Sequence, residues 1–162
     1  MADGSTGCSL LYTGSALSPM PSERDSGYLA AANERSTDAR RLFDTGRHCG
    51  AIYMAGYAVE CRLKALLEGL GRNFPRAGAS GHDLYRLWEA AGFRLQDLKG
   101  YRRDFVMTWS TDLRYQPDLP KGANADVLYK GAIELCGYLQ TRLRNLRRPV
   151  RGPRGASFAG NP

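Results

Sequence analysis

The sequence predicts an all-α fold, an antiparallel up-and-down bundle of about five helices, and three observations carry that prediction. Apolar residues recur at three- and four-residue spacing along most of the chain. Glycine- and proline-containing stretches cut the pattern into helix-length pieces. No segment alternates polar and apolar residues as a half-buried strand does, and no internal repeat is present. A chain of 162 residues supplies one domain with a core and is short for two.

Residues 1–23, rich in Gly, Ser, Thr and Pro, lack the basic start and continuous apolar run of a secretory signal and read as a disordered leader. The helical domain is expected over residues 24–148. Its first helix runs from about Asp25 to Asp44, with Ser22 or Asp25 as start signal. Leu29, Ala32, Ala39, Leu42 and Phe43 form the buried side, and Gly46 ends it. The second helix, Ala51 to about Leu70, places Ile52, Gly56, Val59, Leu63, Leu66 and Leu70 on one stripe, with Tyr53, Glu60 and Lys64 along its margin. Gly71 supplies a left-handed stop. The short link at Gly46 folds these two helices into an antiparallel hairpin.

After the Gly-, Ala- and Pro-containing loop Arg72 to Gly81, His82-Asp83 opens a third helix reaching Ala91 and burying Leu84, Leu87, Trp88 and Ala91. A fourth, from about Leu95 to Trp109, buries Leu98, Phe105, Val106 and Trp109. Thr111 to Lys121, with Pro117 and Pro120, reads as a loop. Asn124 starts the last helix, where Ala125, Leu128, Ala132, Leu135, Leu139, Leu143 and Leu146 form a core-facing or dimer-facing stripe. Pro149 stops it, and residues 149–162 read as a basic disordered tail.

Composition excludes several function classes. No apolar run approaches the roughly 18 residues of a membrane span, since Glu60, Arg62, Lys64 and Glu68 interrupt the longest candidate. Cys8, Cys49, Cys61 and Cys136 form no CxxC pair, and His48 and His82 are the only histidines, so no metal site is expected. The helical cysteines read as small core residues of a reduced, cytoplasmic protein. No P-loop, GxSxG, HExxH or DxD motif is present, and no cofactor is expected.

The net charge of +7 belongs almost wholly to the C-terminal end. Arg142, Arg144, Arg147, Arg148, Arg151 and Arg154 follow Thr141 with no acid among them, while the chain before them is nearly neutral. Arg142, Arg144, Arg147 and Arg148 are candidates for nucleic-acid phosphates, but a solvated helix end and flexible tail is the preferred reading, since the helix dipole favours cations there and no aromatic residue is interleaved with the arginines before Phe158.

Glu60 is the residue that most needs an explanation. A carboxylate at the margin of an apolar stripe requires a partner, because an unpaired charge taken from water costs several kcal/mol. Lys64 stands one turn on in the favourable order, and Arg114 is a candidate second cation. An ion pair that fixes helix register is preferred to direct catalysis.

The run Ala58-Val59-Glu60, then Leu63-Lys64-Ala65-Leu66-Leu67, then His82-Asp83-Leu84 with Leu87, and finally Trp109 to Arg114-Tyr115, resembles the HEPN family in the order and spacing of its motifs. The resemblance covers roughly Tyr28 to Leu146. It implies a helical homodimer that binds nucleotide, RNA or a protein partner, the latter often a minimal nucleotidyltransferase in a toxin-antitoxin or defence pair. In that reading Glu60, Lys64, His82 and Arg114 border a shared groove, with Arg114 on phosphate and Tyr115 stacking on a base. Arg114 is equally readable as a cation pinning the proline loop.

Ribonucleases of the family carry an Arg-x4-6-His motif late in the chain, and here no histidine follows His82. Arg41 with His48 and Arg76 with His82 meet the spacing at other places, as an arginine-rich chain does by chance. The expected function is therefore a binding module. The alternative is a metal-independent endoribonuclease with a rearranged site, using Arg114 for phosphate charge and His82 as acid or base. A third reading is a scaffold dimerising through Leu139 and Leu143. His82 itself is expected to hydrogen-bond to a loop or to Glu60.

Overall fold

The computed structural model describes residues 27–76 and 78–147. Five α-helices follow in order: α1 Gly27–Asp44, α2 His48–Gly69, α3 Leu84–Ala90, α4 Tyr101–Thr108 and α5 Ala125–Leu146. Among the described residues there is no strand. The leader lies outside the described residues, as do the tail, Ser22 and Asp25.

The helix ends follow from local chemistry. At Gly46 (φ 76°) the amide of Arg47 donates to the Leu42 carbonyl and that of Gly46 to Phe43, closing α1 with paired turn bonds. Gly71 (φ 64°) closes α2 in the same way through Arg72 to Leu67 and Gly71 to Glu68. Asn124 caps α5 by accepting from the Val127 amide at 3.1 Å.

α2 is the central helix. Ala51, Ala55, Ala58 and Ala65 are buried on one side of it, and Ile52, Val59, Leu63 and Leu66 on another, because α1 and α5 both pack along it. The α1/α2 hairpin is antiparallel: Tyr28 at the start of α1 meets Phe74 just beyond α2, with ring centroids 6.2 Å apart. Phe43 on α1 stacks on Tyr129 of α5 at 4.1 Å, fastening the outer helices to one another. α4 crosses α5 at Gly131, where a Cβ would collide with the Tyr101 carbonyl oxygen.

Several expectations are corrected. The single helix expected from Leu95 to Trp109 is a 3-10 turn, Leu95–Asp97, then a break at Gly100 (φ 54°), then α4. Its buried residues are nevertheless Leu98, Phe105, Val106 and Trp109. His82 does not open α3; it ends the 3-10 turn Ala79–His82, and Asp83 caps α3 by accepting from the Arg86 amide. The expected loop from Thr111 begins with another 3-10 turn, Thr111–Tyr115. Leu70 and Leu146, at the ends of their stripes, are 37% and 44% exposed and line an open groove with Phe93 and Arg142. Ala125, Leu29, Leu42 and Phe43 are half-buried, as are Cys61 and Cys136, while Cys49 is in the core. All three of these cysteines are free thiols.

Leu139 and Leu143 are core residues, 0% and 6% exposed within a single chain. Their expected place at a dimer interface is corrected: that stripe is already covered by α2 and α4. No helix among the described residues is long and apolar enough to cross a membrane.

Candidate functional site

Glu60 lies deeper than the expected groove margin. It is 2% exposed and Lys64 3%, because α1 and the segment leading into α3 cover that side of α2. The i,i+4 geometry brings Lys64 Nζ to 2.8 Å from Glu60 Oε1, and the ammonium also lies 5.8 Å from the centre of the Tyr28 ring. The other carboxylate oxygen receives His82, whose Nδ1 is 3.0 Å from Oε2 and 3.2 Å from Oε1. A carboxylate paired to an ammonium only accepts, so His82 Nδ1 is the donor in this contact. The His82 side chain is 35% exposed, making it the accessible end of an otherwise buried triad.

Arg114 does not join this triad. It sits with Tyr53, Arg47 and His48 in an open cleft of about 750 Å³ between the start of α2 and the turn and loop Leu113 to Leu119. Its guanidinium lies 4.7 Å from the centre of the Tyr115 ring, and Tyr115 is 72% exposed. Cys49 holds this wall in place from beneath, its Sγ 3.6 Å from the Leu113 carbonyl and 3.4 Å from that of Gln116. Burial, and secondarily the Asp118 charge, push the Cys49 thiol up.

Tyr57 stands between the two places. Its ring packs edge-on against His82 at 5.7 Å and against Trp109 at 5.7 Å, and its hydroxyl hydrogen-bonds the Tyr53 hydroxyl at 3.3 Å. Burial chiefly, then the Tyr53 hydrogen bond and the charges of Tyr53 and Glu60, push the Tyr57 phenol well above the usual tyrosine range, against a pull from Arg114. A phenol that keeps its proton more tightly when folded contributes stability below its ordinary range, and that stability drains away as pH rises past it. Urea unfolding followed above pH 10 is thus expected to show falling stability, and Tyr57→Phe to flatten part of the fall; Tyr129, also raised by burial first, supplies another part.

Arg62 entered the sequence reading only as a charge interrupting the longest apolar run. It is 7% exposed, and its guanidinium donates to the carbonyls of Ala32 (3.2 Å) and Ala58 (3.1 Å), to Ser36 Oγ and to Asn33 Oδ1. Three acceptors come from α1, so the buried cation locks the hairpin. The available signal was the small pair Ala32 and Ser36, one turn apart, which leaves the space it fills.

The C-terminal arginines are partly engaged. Arg142 donates to the Tyr138 hydroxyl from Nε (3.0 Å) and Nη2 (2.8 Å), and lies over the rings of Tyr138 and Phe93. Arg144 is exposed on α5 and Arg147 follows its end, whereas Arg148 lies outside the described residues. No group of three His, Cys, Asp or Glu among the described residues is arranged to hold a metal ion.

The central-helix bundle, with a buried Glu–Lys pair presenting a histidine from the following turn, defines a small all-α module whose polar constellation is built on one helix. The HEPN domain profile matches residues 26–146, and the chain belongs to that family. No curated protein and no solved structure matches it. Membership fits a helical module of the nucleotide- and RNA-related kind.

Proposed function

We propose that this domain is a homodimeric binding module for a nucleotide or RNA, with the phosphate taken by Arg114 and a base stacked on Tyr115. The observation that carries the reading is the Arg114–Tyr115 pair at the mouth of an open cleft that also presents Arg47 and His48. A guanidinium supplies fork-shaped donors to phosphate, and an exposed ring accepts any base face. Arg147, beyond the end of α5 remote from the cleft, offers phosphate a second basic patch together with the stacked Arg142, and Arg148 follows it in the sequence. Glu60 and Lys64, buried behind His82, act on a ligand by setting that ring's orientation. The protein partner of this reading is a minimal nucleotidyltransferase, in a toxin-antitoxin or defence pair.

Fluorescence anisotropy with a labelled single-stranded RNA tests the reading. Tyr115→Ala is expected to lose about 1–3 kcal/mol of binding, and Arg114→Ala to weaken it while lowering the salt slope by about one. Unchanged affinity in both variants removes the cleft as the site.

The endoribonuclease reading rests on the Glu60–His82 pair, in which a buried carboxylate fixes the tautomer of an accessible imidazole. It predicts cleavage of the same RNA in EDTA, lost in both His82→Ala and Arg114→Ala. Cleavage that persists in these variants comes from another nuclease.

A further inference from the structure

The solvent face of α5 contains a second stripe, opposite the core. Asp126, Lys130, Ile133, Gly137, Gln140 and Arg144 follow at spacings of four and three residues, and all six are exposed. They fall within about 40° of one helical line. Two members stand out. Ile133 is 55% exposed, on the rim of a groove of about 370 Å³ whose walls include Ala39, Ala55, Ala58 and Cys136. Gly137, one turn on, lies in mid-helix, where glycine costs about 1 kcal/mol relative to alanine.

Two other mid-helix glycines are explained within the chain: Gly56 makes room for Trp109 and Gly131 for Tyr101. A Cβ at Gly137 would meet nothing within 4 Å. Its small size serves no contact inside the molecule.

We infer that this stripe is the seam of a two-fold dimer, in which α5 packs antiparallel on α5 of a second copy. This assignment rests on the reading of the domain as a homodimer and supplies its surface. An antiparallel two-fold centred at position 135 sets each residue against the partner residue equally far on the other side. Asp126 then faces Arg144, Lys130 faces Gln140, and Ile133 faces Gly137. Every charge meets an opposite charge or an amide, and the exposed Ile133 enters the gap over Gly137 at the groove's edge. Isologous contact requires this self-complementarity: a knob and its hole on one surface. Only one apolar knob per copy is buried, so the dimer belongs to the small class whose population follows concentration.

The test is the molecular mass of the full chain by light scattering across a dilution series. Wild type is expected to form a dimer. Asp126→Arg, which sets like charges opposite one another, and Ile133→Asp each weaken it about tenfold or more. Asp126→Arg combined with Arg144→Asp restores it, because the pair is exchanged across the two-fold. Gly137→Leu weakens the dimer while leaving the melting temperature, compared at a dilution where wild type is monomeric, equal or higher, which separates a filled hole from a damaged fold. A wild type that stays monomeric throughout overturns both the homodimer and its seam. A dimer indifferent to these substitutions, or not restored by the charge exchange, overturns the seam alone.

Discussion

Glu60→Ala is expected to destabilise the domain by about 3–5 kcal/mol, the cost of leaving a buried charge without its partner. Lys64 is 4% exposed at the side chain, and its Nζ has Glu60 at 2.8 Å. With the carboxylate gone the ammonium must shed its proton, find water by opening the α1/α2 hairpin, or remain unpaired. His82 loses the acceptor of its Nδ1 proton at the same time. The half-exposed ring rehydrates readily, so the larger share of the loss belongs to Lys64. Replacing both charges, Glu60→Leu with Lys64→Met, is expected to recover most of the stability, since a well-packed apolar pair often equals a buried ion pair. Urea unfolding of the two variants measures the difference. A single substitution costing under about 1 kcal/mol would show that water reaches Lys64 in the folded state.

Gly56→Ala is expected to cost about 2–4 kcal/mol although it raises helix propensity. The new Cβ would fall on the indole nitrogen of Trp109, and neither partner has room to yield. Gly56 lies inside α2, and Trp109 is 6% exposed, donating from Nε1 to the Tyr53 carbonyl at 3.2 Å. Expelling the indole breaks that bond and removes the edge contact with Tyr57, so the support beneath His82 loosens as well. Thermal melts check the loss, and Trp109→Leu in the same background should return part of it by clearing the collision. Gly50→Ala, whose Cβ would meet only Leu42 at 3.5 Å, is the matched control and is expected to be neutral or slightly stabilising.

These two residues also mark how far the sequence was legible. Gly56 appeared as a member of an apolar stripe, and nothing local revealed that a tryptophan 53 positions later needs its missing side chain. The break at Gly100 was hidden because the apolar spacing of Leu98, Phe105 and Val106 continues across it, and spacing alone does not report a positive φ. The groove expected to join His82 to Arg114 was drawn from motif order. Motif order carries no information about Tyr57, whose ring packs against His82 while its hydroxyl bonds Tyr53 on the wall of the Arg114 cleft.

By itself the sequence determined what depends on residues within a turn or two of one another. The five-helix pattern, the glycine stops at Gly46 and Gly71, the Asn124 cap and the Glu60–Lys64 pair all follow from helical periodicity and i,i+4 reach. Only the tertiary structure decided that α2 is enclosed on several sides, so that a marginal carboxylate became a buried one and Arg62 a lock on the hairpin. It also decided that Leu139 and Leu143 belong to the core, leaving the opposite face of α5 exposed to solvent. The physical reason is the same throughout: a helix's period fixes which residues share a face, while the neighbours that cover each face are set by contacts between residues far apart in the chain.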